Sequence, residues 1–160
     1  MEIERPTVDD IEELTELWVA LAREQRRHGT HILPEANRSV IGETLTRHAL
    51  AGEAFVARGR NSILGFVTFE RTADQFQTNV DRGVVQNLFV KPSYRDAGVG
   101  ALLLDRAEAD FEASGVEVVS VEVMAANEAA RRFYDRRGYD PHRVVLEKRL
   151  QDENHSKDPG

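Results

Sequence analysis

Apolar residues recur at Ile11, Leu14, Leu17, Trp18 and Leu21, with Glu12, Glu13 and Glu16 between them. Steps of three and four place them on one face of a helix that ends near Gly29. Thr7-Val8-Asp9-Asp10 ahead of it supplies an N-cap and first-turn acids. A second helix is predicted over residues 35–50. The chain then changes period. Phe55-Val56-Ala57 and residues 63–69 are short apolar runs around Gly59-Arg60-Asn61, which predicts a hairpin. Ile3 and Arg5 suggest a first edge strand. Val84-Val85-Gln86-Asn87-Leu88-Phe89-Val90 is β-branched and bounded by Gly83 and Pro92, hence a strand. Leu103, Leu104, Ala107 and Phe111 return to helical spacing over residues 98–114. Val119, Val121 and Val123 alternate in a strand over 116–124. A last helix covers 127–137, and a closing strand 144–150. The polar tail, residues 151–160, is expected to be disordered. Strands and helices mixed in one unit over residues 1–150 predict an α/β (α+β) fold.

The junction of residues 95–100, Arg95-Asp96-Ala97-Gly98-Val99-Gly100, lies between a strand and a helix. A glycine-bearing turn that opens a helix bares several N–H groups at the positive end of the helix dipole, an anion site. A triphosphate-binding loop would need Gly-Lys-Ser/Thr, which is absent. A dinucleotide fingerprint would need a third small residue where Leu103 stands. Arg-x-x-Gly-x-Gly remains, and it is equally compatible with an ordinary helix N-terminus.

A second segment narrows the reading. Residues 127–139 run Asn127-Glu128-Ala129-Ala130-Arg131-Arg132-Phe133-Tyr134-Asp135-Arg136-Arg137-Gly138-Tyr139, about thirty residues after the first. The two motifs, in this order and with a strand between them, resemble those of the GNAT N-acetyltransferases. That family has Gln/Arg-x-x-Gly-x-Gly/Ala followed by Asn-x-x-Ala-x-x-Phe-Tyr-x-x-x-Gly-Phe. Tyr139 replaces the final Phe. The resemblance implies a GNAT fold: a mixed central sheet of six to seven strands, about four helices, and splayed strands that bind coenzyme A. Only about twelve ordered residues follow Gly138, so a final strand is missing or merged.

The resemblance implies transfer of an acetyl group from acetyl-CoA to a primary amine by direct attack. The N–H groups of Asp96, Ala97, Gly98, Val99 and Gly100 would hold the pyrophosphate, with Arg95 adding charge. Gly98 and Gly100 permit close backbone approach. The backbone of Leu88, Phe89 and Val90 would receive the pantetheine arm, and the Leu88 N–H would polarise the thioester carbonyl. Their side chains read more simply as core. Asn127 and Tyr134 stand two helical turns apart, about 10 Å along one face. Asn127 would bond an amide of the arm, unless it is only an N-cap. Tyr134 would protonate the departing thiolate, unless it is only a packing residue. Phe133 reads as core. Arg131, Arg132, Arg136 and Arg137 read as a solvated face, one of which could meet a 3′-phosphate.

Many family members carry a base on the strand that here holds Gln86 and Asn87, neither of which accepts a proton at neutral pH. Glu122, pointing away from Val121 and Val123, and Glu70 are the carboxylate candidates; each reads more simply as a solvated strand residue. A water relay, or uptake of a neutral amine, would serve as well. The acceptor site falls to the first two helices and their connection, with His28 and His31 as candidates or as plain surface histidines. These histidines lack the companions of a metal site, and no metal is expected. A coenzyme A-binding sensor module without turnover is the alternative class, favoured by Gln86 and opposed by Tyr134.

Composition changes this picture little. With no cysteine, disulfides, thiol nucleophiles and thiolate metal sites are excluded. A net charge of −7 argues against nucleic acid as a partner. The N-terminus lacks a signal pattern and no apolar run spans a membrane, so a cytoplasmic protein is expected. A homodimer is allowed. Lys91, Lys148 and Lys157 are the only lysines among 21 basic residues. A high-salt cytoplasm and a GC-rich genome account for that equally well.

Overall fold

The computed structural model describes residues 1–72 and 76–151. Five strands and four α-helices are seen there: β1 (Glu2–Glu4), α1 (Ile11–Arg27), α2 (Arg38–Ala51), β2 (Ala54–Arg58), β3 (Ile63–Arg71), β4 (Arg82–Val90), α3 (Val99–Ala113), β5 (Val118–Val121) and α4 (Glu128–Arg136). The sheet runs in chain order, β1-β2-β3-β4-β5. Its first three pairings are antiparallel, and β4 pairs with β5 in parallel through the α3 crossover.

Each helix starts and stops where local chemistry dictates. Thr7 and Asp10 form a reciprocal capping box ahead of α1, and α2 ends on Gly52 at φ +72°. The strand period then divides the core. Val56, Phe66 and Phe89 face α1 and α2 and pack with Leu14, Trp18, Ile41 and Leu45. Phe55, Val67, Phe69 and Val85 face α3 and pack with Leu103, Leu104, Ala107 and Phe111. The helix-on-both-faces arrangement leaves β3 almost wholly buried.

Three expectations are corrected. Gly83 does not bound β4 but lies inside it, because Phe111 occupies the space a side chain would need; a Cβ there would stand 2.3 Å from its ring. The strand expected over 116–124 shortens to Val118–Val121. The β3–β4 register shifts at Thr68/Phe69, leaving Gln86 unopposed in β4; such a bulge bends its strand, and pairing with β5 stops at Val85↔Val121. Finally, the sheet has five strands in the described residues, not six to seven. Residues 144–150 form no ladder, and their large apolar side chains stand in solvent. The tail expected to be disordered lies, from residue 152, outside the described residues. No helix among the described residues is long and apolar enough to cross a membrane.

Candidate active site

The early end of β4–β5 pairing creates the site. β4 continues from Gln86 to Val90 with β3 on one side and no strand on the other. The Lys91 N–H reaches Leu64 O on β3 at 2.8 Å. Backbone polarity alternates along a strand, so Phe89 also turns its N–H and C=O toward β3. Leu88 and Val90 turn theirs into the open gap. The Phe89 side chain is buried on the opposite helical layer, its ring 6.4 Å from that of Phe66. Phe89 therefore presents nothing to the gap, and only its two neighbours remain from that part of the sequence-based set.

The α3 N-terminus closes one end of this gap. Asp96 and Gly98 both take positive φ, +63° and +83°, the kind of backbone in which neighbouring N–H groups can face a common anion. The first helical bond runs from Leu102 N to Gly98 O at 3.1 Å. The N–H groups of Val99, Gly100 and Ala101 thus fall in the open first turn. A Cβ built on Gly98 would meet nothing within 4 Å, which leaves room for a ligand against the backbone. Residues 95–98 are exposed; the Val99 side chain is core, so only its main chain is available. A Cβ on Gly100 would sit 3.7 Å from both Val90 Cγ2 and Phe133 Cζ. This glycine brings the first turn of α3, the end of β4 and α4 together.

Arg95 is engaged elsewhere. Its Nη2 donates to Glu24 Oε1 and Oε2 at 2.7 and 2.9 Å, and its Nε donates to Val90 O at 2.8 Å. It ties the loop to α1 and caps one of the four gap-facing main-chain groups of Leu88 and Val90. Glu24 went unnoticed in the sequence because nothing local links it to a residue 71 positions away.

On α4, the Asn127 Oδ1 accepts from Ala130 N at 3.1 Å, so it does cap the helix. Its Nδ2 remains the group for any further donation. Tyr134 packs edge-on between Phe133 and Tyr139, with ring centroids 5.1 and 5.4 Å away. Burial holds its hydroxyl protonated well above the ordinary phenol value, and no partner for that hydroxyl is seen among the described residues. Tyr139 donates to Glu108 Oε2 on α3 at 2.6 Å, a use for the hydroxyl at the position where a Phe is usual. Arg131 donates to Ala125 O, and Arg137 pairs with Asp105 on α3.

The carboxylates lie apart from one another. Glu122 follows β5 directly and is exposed, while Val121 and Val123 are half-buried. Glu70 stands opposite Val84, where β4 and β5 are still paired. Asn87 donates to Thr68 Oγ1 at 2.9 Å, an internal bond. The α1–α2 connection lies over the segment after β5: a Cβ on Gly29 would stand 3.8 Å from Met124 Cε. Within that connection His31 meets Glu147 at 3.0 Å, and His28 caps α1. Met124, two residues after Glu122, thus lies against this connection; no contact seen among the described residues joins Glu122 or Glu70 to either histidine. No group of three or more His, Asp and Glu that could hold a metal occurs among the described residues.

The family model for the acetyltransferase (GNAT) family matches residues 11–139. None of the curated proteins matches the chain significantly. A GCN5-related N-acetyltransferase from Ralstonia eutropha JMP134 is 25% identical, with a TM-score of 0.72 over 94% of this chain and 99% of the other. The PaiA N-acetyltransferase of Thermoplasma acidophilum, solved with coenzyme A, is 18% identical, with a TM-score of 0.77 over 90% of this chain and 92% of the other. The aminoglycoside enzyme AAC(6')-Iy, solved with the bisubstrate analogue CoA-S-monomethyl-acetylneamine, is 15% identical, with a TM-score of 0.66 over 94% of this chain and 98% of the other.

Proposed function

As the chain belongs to the GNAT acetyltransferase family, we propose that it is an N-acetyltransferase acting from acetyl-CoA onto a primary amine of a small molecule or peptide. The observation that carries this is the open side of β4. Gap-facing Leu88 and Val90 main-chain groups end beside the positive-φ loop of Asp96 and Gly98. An extended ligand with amides along its arm and a pyrophosphate at its end fits both features together.

In this reading the co-substrate, when bound, supplies an activated acetyl thioester. The residues do the rest. The N–H groups of residues 96–100 hold the pyrophosphate. Leu88 and Val90 pair with the amides, and the Leu88 N–H faces the carbonyl oxygen. The Asn127 Nδ2 donates to the arm while its Oδ1 keeps the cap. As the amine nitrogen forms its bond to the acetyl carbon, the carbon–sulfur bond breaks, and Tyr134 gives its hydroxyl proton to the sulfur. The amine's surplus proton leaves toward Glu122 or solvent, and water restores the tyrosine. Glu122 is the better carboxylate because it is exposed two residues before Met124, which lies against the α1–α2 connection where an acceptor would dock. Members of the family acting on small amines set a precedent only for the class of acceptor.

Release of free thiol from acetyl-CoA across an amine panel tests the proposal, with calorimetric titration of coenzyme A alongside. Expected is binding together with acceptor-dependent thiol release. Binding with no release for any amine would leave a ligand-sensing module as the function. Absence of binding would overturn both.

A further inference from the structure

One guanidinium lies across the open edge of β4. Arg95 Nε donates to Val90 O at 2.8 Å, and its Nη2 donates to Glu24 Oε1 and Oε2 on α1 at 2.7 and 2.9 Å. Its Cζ stands 5.4 Å from the centre of the Phe89 ring. Val90 O faces the gap, so a side chain from the next loop holds a main-chain acceptor that an extended ligand on β4 would use. The Arg95 and Glu24 side chains are 40% and 29% exposed. Isolated surface pairs hold weakly, but two bonds to one carboxylate and a third to a carbonyl fix this guanidinium in one place.

This hold lies where an anion would contest it. Arg95 directly precedes the loop whose Asp96 and Gly98 take positive φ, and that loop opens the first turn of α3. The space where a Cβ of Gly98 would stand is open to 4 Å. Glu24 offers the guanidinium one negative charge from another element, 71 positions away in sequence. A pyrophosphate on the N–H groups of the loop offers more charge and more oxygens, next to residue 95 itself.

We propose that Arg95 and Glu24 form a latch over Val90 O that a pyrophosphate releases. Glu24 thereby sets donor specificity: thioesters of coenzyme A are taken, and thioesters on a bare pantetheine stem are refused. Without a pyrophosphate, Glu24 keeps Arg95 Nε on Val90 O, and an amide N–H of the ligand meets an occupied acceptor. With a pyrophosphate seated, the guanidinium turns to it, Glu24 is released to water and Val90 O takes the amide. Recognition of the two ends of the donor is thereby coupled through Arg95. The inference rests on the coenzyme A-binding reading above and adds the condition under which the arm is accepted.

Two ligands that each carry one half of the donor test it: pantetheine, with amides and no phosphate, and inorganic pyrophosphate. In the parent chain, saturating pyrophosphate is expected to raise pantetheine affinity about tenfold, and pantetheine to raise pyrophosphate affinity by the same factor. Heteronuclear NMR follows the Arg95 Nε–H, assigned by its loss in Arg95→Lys. Coenzyme A and pyrophosphate are expected to shift this resonance, and pantetheine alone to leave it in place. Arg95→Ala is expected to bind pantetheine more tightly than the parent and coenzyme A more weakly, opposite signs that a merely structural tether would not produce. Glu24→Gln is expected to gain pantetheine affinity without losing coenzyme A affinity. Pantetheine affinity that is indifferent to pyrophosphate, or that falls in parallel with coenzyme A affinity in Arg95→Ala, would overturn the latch alone. A parent chain that does not bind coenzyme A would overturn the donor-site reading and the latch with it.

Discussion

Arg95 and Glu24 form a bidentate pair, Nη2 lying 2.7 and 2.9 Å from the two carboxylate oxygens, that fastens the loop before α3 to α1. The same guanidinium donates to Val90 O. In the proposed complex the anion at the α3 N-terminus competes with Glu24 for this charge. Glu24→Gln removes the competitor and is expected to bind coenzyme A at least as tightly as the parent. Arg95→Ala removes the cation and is expected to weaken binding about tenfold, ~1.4 kcal/mol. Equal weakening in both variants, measured by calorimetry, would instead make the tether to α1 the important feature.

Gly98 combines φ +83° with open space around the missing Cβ. A β-branched residue tolerates that φ poorly, so Gly98→Val would disturb the loop as well as the ligand, and Gly98→Asn is the better probe. Asn accepts the left-handed region at modest cost, roughly 1 kcal/mol or less. A melting temperature within a few degrees of the parent is expected, with coenzyme A affinity lost because the side chain stands where the pyrophosphate approaches. Unchanged affinity would remove this loop from the ligand site.

Tyr134→Phe keeps the ring between Phe133 and Tyr139 but removes the proton donor. Positioned proton transfer is worth roughly 10² to 10⁴ in rate, so kcat is expected to fall by that order while acetyl-CoA affinity holds. Burial raises the pKa of Tyr134, and burial plus the bond to Glu108 raises that of Tyr139. Each therefore keeps its proton in the folded chain after the unfolded chain has begun to lose it. Stability is present at neutral pH and falls as pH rises past the unfolded value, about 10. An alkaline melt series checks this; Tyr139→Phe is expected to reduce the loss.

The local geometry on which the proposed donor side rests was legible because its signals are local. The turn between strand and helix, the glycine at φ +83° and the Asn127–Tyr134 spacing each sit within one short segment. What escaped depends on residues far apart in sequence. Gly83 looked like a strand boundary until Phe111 filled its side-chain space. Phe89 looked like part of the ligand set until its parity against β3 turned its main chain away. The bulge at Gln86, beside which β4–β5 pairing ends, arises from the β3–β4 register and has no local mark. Residues 144–150 have strand propensity but form no ladder, because propensity does not itself supply a partner edge.

Glu122 is exposed, two residues before Met124, which lies against the α1–α2 connection. If it takes the amine proton, Glu122→Gln is expected to lower kcat/KM near neutral pH by about tenfold or more. The deficit should shrink as pH rises toward the pKa of the acceptor and more amine arrives neutral. A pH-independent deficit would assign Glu122 to acceptor binding. No deficit would leave water as the proton's destination.

Asp10 links the start of α1 to the sheet. Its Oδ1 and Oδ2 accept from Arg58 Nη1 and Nη2 at 3.1 and 2.8 Å, and Arg58 Nε also meets Glu4. The Asp10 side chain is only 12% exposed, so solvent screens this pair less than the surface pairs elsewhere. The hydrogen bonds from Arg58, with help from Thr7, lower its pKa below the ordinary 3.8. A carboxyl with a depressed folded pKa contributes stability that is complete above the unfolded value and disappears as pH falls through the folded one. Asp10→Asn keeps an acceptor for Thr7 N but loses the charge, and is expected to cost about 1–3 kcal/mol at pH 7. Because the parent's advantage is itself titratable, the gap between the two denaturation free energies should narrow steadily below about pH 4. A gap that stays constant down to acid unfolding would mean that the capping geometry, not the Arg58 pair, sets the contribution of Asp10.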